Sequence, residues 1–491
     1  MRKLRFVRNV SIGIVLFVVV FCGVFFGVQF FNKTGIFRIP GVVYYDESLS
    51  ETELSILAGI FTEEIDLDKD VTISAANYLG KPDLSVNEYI LNIYVPVTDF
   101  YSTETNIEVD RVDELFKNCE CGWKMIDVND LDYTQKLLRI NDGYYLDDFE
   151  SGAVFRVVKY ESELYDEEIK PLVASAMLRE YPSNESVLTF AQTGVTALSR
   201  GMNAKLNQAG DAKYFAEKIG SFLSSFDLTH TSNESSFTDY ASSSNICSDR
   251  RFMDTLTAIG LDIVELTGNH NQDCGTVAAN ETIDIYEENN IQIVGGGKTA
   301  DEAAVPLQID KKSNNITMLA FNESTGGVTL GNTPGANQYY EDVAVRQINE
   351  AKSRGDYVIV DIQYYECSAY ASEYEDPTCD RADSAAGDQV GFFRHLIDLG
   401  ADMVVGTSAH QPQTYELYGD GVIYYGLGNL FFDQIWWPGT TRSLILVHHF
   451  YKDKLLQTEI VPTVYDASMQ TGLLDEETSK WFLDRLISVR P

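Results

Sequence analysis

Leu261-Asp262-Ile263-Val264-Glu265-Leu266-Thr267-Gly268-Asn269-His270-Asn271-Gln272-Asp273-Cys274-Gly275 is the stretch that decides the fold. An apolar strand, Leu261–Leu266, runs straight into a polar loop, and helical spacing resumes over Ala278–Asn289. Strand, polar loop, helix is the unit of layered α/β domains, which gather such loops along one edge of a sheet. Asn269 and His270 set an amide oxygen beside an imidazole, a pair suited to a divalent metal or a phosphoryl oxygen. Alone the pair is a weak signal, because Asn and His also cap strands.

The same alternation extends outward in both directions. Upstream lie the strand Val187–Ala191, helical spacing over Asp211–Leu223 and a helix at Arg250–Gly260. Downstream come strands Ile291–Val294 and Asn315–Phe321, helix Glu341–Arg354, strand Tyr357–Ile362, helix Asp388–Leu399 and strand Met403–Val405. Val422–Gly426, Ser443–Tyr451 and Gln457–Thr463 then make an all-strand tail. Three further polar clusters follow apolar strands: Gly194–Arg200, Ser232–Glu234 and Gly406–Gln413. The chain has six histidines, and His270 and His410 both fall in these clusters. His448 and His449 lie within a strand and read as structural, while His230 and His395 read as solvated or at the edge of the core.

Composition narrows the function classes. With 37 Lys+Arg against 74 Asp+Glu, the 491 residues carry a formal net charge of −37. That excludes nucleic acid as a partner, since phosphate binding needs a basic stripe. At 44% hydrophobic and 23% charged the chain is globular. Its length calls for more than one domain.

Residues 1–9, with Arg2, Lys3, Arg5 and Arg8, precede an unbroken apolar run from Val10 to Phe31. At about 1.5 Å per residue that run spans the ~30 Å core of a bilayer. It is longer than a secretory signal's apolar region and lacks a small-residue cleavage site. The expectation is a single-pass membrane protein with its N-terminus in the cytoplasm and its bulk outside. Residues 41–184 read as a separate mixed α/β domain without a catalytic motif, and 466–491 as a C-terminal extension. Six of the seven cysteines follow the apolar run, in an oxidising location. Cys247–Cys274 and Cys367–Cys379 are the pairings proposed, with free thiols the alternative.

Residues 187–465 resemble the CapA-type poly-γ-glutamate capsule-synthesis proteins, on six landmarks in order. Gly194–Arg200 corresponds to Gly-Asp-x-Met-x-x-Arg, Ser232–Glu234 to Asn-x-Glu, and Gly268–Gly275 to Asn-Asn-His-x-x-Asp-x-Gly. Asp361–Tyr370 stands in the place of His-Trp-Gly-x-Glu-Tyr, and Gly406–Gln413 of Gly-x-His-Pro-His-x-x-Gln. Tyr425–Gln434 follows Ser-Leu-Gly-Asn-Phe-x-Phe-Asp. The resemblance implies a layered αββα domain of the calcineurin-like metallophosphoesterase kind. It also implies His270 and Asn269 as catalytic residues and Glu234, Asn269 and His410 as ligands of a single, weakly held divalent ion.

Three family ligands are replaced here: Val195 stands for an Asp, Gln363 for a His and Ser408 for a His. Two readings stay open. One is a binding protein or pseudoenzyme that handles or anchors an anionic cell-surface polymer together with envelope-biosynthesis proteins. The other is a metal-dependent hydrolase or transferase acting on an amide or phosphoester through a reduced mononuclear site.

Overall fold

The computed structural model describes residues 43–45, 49–50, 53, 71–116, 121–162, 179–323, 326–364, 388–436 and 438–491. The expected span Val10–Phe31, most of the helix-like stretch Leu49–Phe61, Cys367 and Cys379 lie outside the described residues. Among the described residues no helix is long and apolar enough to cross a membrane. The chain divides into two compact units, one of residues 1–99, 104–131 and 135–183, the other of 100–103, 132–134 and 184–491.

The first unit is built on one sheet, in the order Val43–Tyr45, Val71–Leu79, Val154–Ser162, Glu88–Asp99, Trp123–Asp127, with Gln135–Leu137 also paired to Glu88–Asp99. Alternate residues of its long strands, such as Leu91, Ile93, Val95 and Val97, are buried, the period of two that a half-covered strand requires. Arg156 and Glu53 form an ion pair 2.8 Å apart with both side chains largely buried.

The second unit holds two larger sheets. The first runs Gln292–Val294, Ile263–Glu265, Leu228–Asn233, Leu188–Thr196, Arg442–Tyr451, Lys454–Val464, Gly472–Leu473, and Asn429–Phe431 also pairs with Leu188–Thr196. Its four leading strands are parallel, and the rest of the path is antiparallel. The second sheet runs Leu307–Lys311, Asn314–Asn322, Tyr357–Gln363, Met403–Gly406, Gly421–Tyr424, Tyr415–Tyr418, with a parallel centre and an antiparallel strand at each edge.

Three apolar clusters show how these layers stack. One draws from both sheets, with Phe190, Leu228, Ile263 and Leu446 of the first against Met318, Ile359, Met403 and Tyr424 of the second. Another joins the far face of the first sheet to helices Gly201–Ala209, Met253–Ala258 and Gly275–Glu288. The third joins the far face of the second sheet to Glu341–Arg354 and Gln389–Asp398. The order is therefore helices, sheet, sheet, helices. Because both faces are covered, strands such as Tyr357–Gln363 and Met403–Gly406 read as nearly continuous apolar runs, while Leu228–Asn233 is buried and mostly polar. Each fully buried Leu, Ile or Phe contributes about 1.5–3 kcal/mol of transfer free energy.

Several elements depart from the sequence expectation. The strand expected to end at Ala191 continues to Thr196, so Val195 is a strand residue. The helix expected over Asp211–Leu223 is broken into a 3-10 turn, Ala212–Ala216, and a short helix, Gly220–Leu223. Gly220 packs so closely that a Cβ there would lie 2.9 Å from the Ala258 carbonyl oxygen, a contact that overrides helical spacing. The helix at Arg250–Gly260 shortens to Met253–Ala258 after a 3-10 turn. The three tail segments are strands, Gly421–Tyr424, Arg442–Tyr451 and Lys454–Val464, and the C-terminal extension adds a helix, Glu476–Ser488, begun where Asp475 accepts a hydrogen bond from Thr478 N at 2.9 Å.

Candidate functional site

The parallel strands end together, and the loops that leave them form a rim. Gly268 packs against the next loop over, because a Cβ on it would stand 2.7 Å from Glu234 Cα. Within its own loop, Asn271 Nδ2 donates to Leu266 O at 2.8 Å, and the Cys247–Cys274 disulfide, with Cα atoms 5.9 Å apart, ties the loop to the segment before Met253–Ala258. Cys121 also takes part in a disulfide.

The rim brings Glu234 and His410 together, Nε2 to Oε2 at 4.0 Å, both side chains being almost wholly buried. The ring of His410 is oriented from behind. Asn429 Nδ2 donates to Thr440 O at 3.0 Å and Gln434 Oε1 at 3.1 Å, so its Oδ1 faces His410 Nδ1 at 2.8 Å and accepts the proton there. His410 Nε2 is left to face the carboxylate, an orientation common for ligating imidazoles. Asn269 follows Gly268 on the same loop, its Oδ1 buried and without a hydrogen-bond partner among the described residues. His270 is partly exposed and turns Nδ1 to Asp273 Oδ2 at 2.7 Å.

The three positions expected from the resemblance to be replaced ligands are all buried. Val195 is fully buried, in register with Ser232 on one side and Asn429 on the other. Ser408 closes a backbone bridge, donating to Tyr364 O and accepting from Tyr364 N, both at 3.2 Å. Gln363 is fully buried in register with Asn322, and neither its amide oxygen nor its nitrogen has a hydrogen-bond partner among the described residues. A two-metal site needs bridging and terminal ligands on both ions. A valine, a neutral amide and a serine already spent on backbone do not fit one.

Arg200 and Asp433 tie the first landmark to the last. Arg200 Nη2 meets Asp433 Oδ1 at 2.5 Å, while the other carboxylate oxygen accepts from Gly201 N at 2.9 Å. Arg200 holds φ at 49°, a region non-glycine residues seldom enter, so this pair fixes a strained turn.

One pleat below the rim lies a second polar group that the sequence reading missed. Following the face that carries Phe190, Leu228, Ile263 and Ile359 toward the rim, the next residues on that face are Gln192, His230, Glu265 and Asp361, while His448, on an antiparallel strand, lies one pleat deeper opposite Phe190. His230, expected to be solvated or at the core edge, is instead in strand Leu228–Asn233 and fully buried. Its Nε2 lies 3.3 Å from Asp361 Oδ2. One ligating atom each from His230, Glu265 and Asp361 falls within 4.8 Å of the other two.

Burial, then the neighbouring Asp361 charge, pushes the Glu265 carboxyl up to about 8, against the pull of the Ser232 and Thr407 hydroxyls and of Thr267 N. Burial lowers His448 to about 3, and so keeps its ring neutral. An unsatisfied buried polar atom costs about 1–3 kcal/mol, more when charged. The sequence held part of the signal, a Glu and an Asp at inward positions of otherwise apolar strands, whereas His230 lies in a strand of mostly polar residues that gives no such contrast.

A family model described as bacterial capsule synthesis protein PGA_cap matches residues 189–434. The capsule biosynthesis protein CapA of Bacillus anthracis is 26% identical over 209 residues, 41% of this chain and 47% of that protein. The PGA biosynthesis protein CapA of Bacillus subtilis (strain 168) is 29% identical over 210 residues, 42% of this chain and 52% of that one. A probable polyglutamine synthesis accessory protein of Mycobacterium tuberculosis (strain ATCC 25618 / H37Rv) is 30% identical over 189 residues, covering 36% and 46%. The chain thus spans about half the length of the curated relatives it matches. The matched family is metallophosphoesterase-like, in keeping with the mixed α/β layers. With the match extending over half of the sequence, residues 189–434 of 491, the chain belongs to the bacterial capsule synthesis protein family.

Proposed function

We propose that this chain is a membrane-anchored, extracytoplasmic protein that takes part in making or anchoring a poly-γ-glutamate-like envelope polymer, with little or no dinuclear hydrolase activity. The observation that supports this reading is the rim itself: Val195, Gln363 and Ser408, which stand where the resemblance expects ligands, are buried, and Ser408 is hydrogen-bonded to the Tyr364 backbone. The apolar run Val10–Phe31, preceded by four basic residues, supports the anchor. The relatives' names, capsule and PGA biosynthesis, support the polymer class.

A second reading keeps a specific observation in its favour. His410 presents Nε2 to Glu234 with its other nitrogen already fixed, which suits a single ion at a hydrolase or transferase site.

Full-length protein in membranes separates the two. The first reading expects restored polymer yield in a capsule-forming host lacking its own relative, and background turnover of a generic phosphodiester with Mn²⁺ present. Brisk phosphodiester or amide hydrolysis that Glu234→Gln abolishes would establish the second. A mature protein beginning near residue 32 and released into the medium would remove the anchor.

A further inference from the structure

Ligand-type side chains meet between the two sheets at a place no loop motif reaches. His230, Glu265 and Asp361 each precede by two residues a position at the rim, Ser232, Thr267 and Gln363, and so occupy the next pleat down on the same face. All three are fully buried. Neither ring nitrogen of His230, nor Glu265 Oε2, nor Asp361 Oδ2, makes a hydrogen bond among the described residues. No lysine or arginine pairs with either carboxylate among the described residues.

The spacing of His230 and Asp361 fits two ligands of one ion, and Glu265 brings a third donor within 4.8 Å of both. Two donors each about 2.1 Å from a tetrahedral centre stand about 3.4 Å apart. His230 Nε2 and Asp361 Oδ2 stand 3.3 Å apart.

Asp361 is also held as a ligand would be. Gln192 Nε2 donates to Asp361 Oδ1 at 2.7 Å, and Gln192 Oε1 accepts from His448 Nε2 at 3.2 Å. Because an amide oxygen only accepts, the His448 proton sits on Nε2, and Nδ1 accepts from the Thr458 hydroxyl at 2.9 Å. This chain fixes the rotation of the carboxylate and leaves Oδ2 directed at His230, as outer partners do around metal ligands.

We infer that His230, Glu265 and Asp361 bind one first-row divalent cation that pins the first sheet to the second, one pleat beneath the rim. His230 and Glu265 come from strands of the first sheet and Asp361 from the second, so the ion is a cross-sheet staple. One imidazole nitrogen with two carboxylate oxygens selects Zn²⁺ or Mn²⁺ over Ca²⁺ and Mg²⁺. The Ser232 and Thr407 hydroxyls beside Glu265 offer further oxygens. The role is structural, since the three donors are sealed between the sheets.

The test uses the detergent-solubilised full chain, stripped with a chelator and titrated with Co²⁺, then with Zn²⁺ and Mn²⁺. Expected are one equivalent of Co²⁺ with a visible ligand-field band and a melting temperature that rises on binding. Glu265→Gln and Asp361→Asn, which keep shape and burial, should each weaken binding by about tenfold or more. They should also remove the melting response, while Glu234→Gln at the rim leaves both intact. If either inter-sheet variant fails to fold, Glu234→Gln decides alone: one equivalent retained supports the inter-sheet site, and loss overturns it. A wild-type chain that takes up no metal, with a melting temperature unmoved by chelator, also overturns it and leaves a proton shared between the carboxyls.

Discussion

A Cβ on Gly194 would stand 2.1 Å from the Gly428 carbonyl oxygen, closer than any real contact. Strand Leu188–Thr196 can approach Asn429–Phe431 only because that side chain is missing, and the approach positions Asn429 behind His410. Gly194→Ala should therefore cost about 1–3 kcal/mol, the usual range for overpacking, read as a lowered urea midpoint at unchanged slope. A second residue-scale expectation concerns acid. Burial, then the His449 and His230 charges, lowers His448 to about 3, against 6.5 for a free ring. Below about 6.5 the unfolded chain takes up a proton that the native chain refuses. Stability is then fully present above that pH and falls by about 1.4 kcal/mol per unit as pH drops toward 3. His448→Gln should flatten this limb in melting curves taken across the window, and an unchanged slope would assign it to other groups. His448 was legible as a structural residue from its strand alone. His230 was not, because the sequence does not say which of a strand's two faces is covered by a second sheet.

Among the elements, the long regular pieces were the legible ones. Glu341–Arg354 carries apolar residues at helical spacing and ends on Gly355, and its bounds match the expectation. The break at Gly220 was hidden, since it depends on contact with a helix far along the chain. Helix Glu476–Ser488 announced itself through an Asp475 cap and acidic residues in its first turn, signals that the strand-rich text before it obscured. The disulfide Cys247–Cys274 came from the topology, because a strand–helix unit returns its two ends to one edge. It closes 27 residues and holds the Asn269–His270 loop against the segment before Met253–Ala258. Replacing both cysteines with serine should cost about 3–4 kcal/mol in the chain-entropy picture. Hydrogen exchange should rise in residues 267–275 more than in the sheet strands. Uniform loosening of both would mean that the bridge constrains only the unfolded chain.

At the scale of the whole molecule, charge sets the terms on which a polymer can be handled. The chain carries −37, and a poly-γ-glutamate chain is itself a polyanion. Like charges repel over a Debye length of about 30 Å at 0.01 M salt but only about 10 Å at 0.1 M. If the polymer meets an acidic surface, adding NaCl should strengthen binding to polymer-coated beads, and a divalent salt that bridges carboxylates should strengthen it further. A nucleic-acid-type interface behaves in the opposite way, losing affinity as added salt shrinks the gain from counterion release. The full chain in detergent is therefore expected to show retention that rises with ionic strength on poly-γ-glutamate and stays level on a neutral polysaccharide of similar length. Retention that falls with salt would mean that a local basic patch, and not the surface as a whole, receives the polymer. The Arg200–Asp433 pair beside the rim would then be the first place to look, because Asp433→Asn would free its guanidinium and steepen that fall.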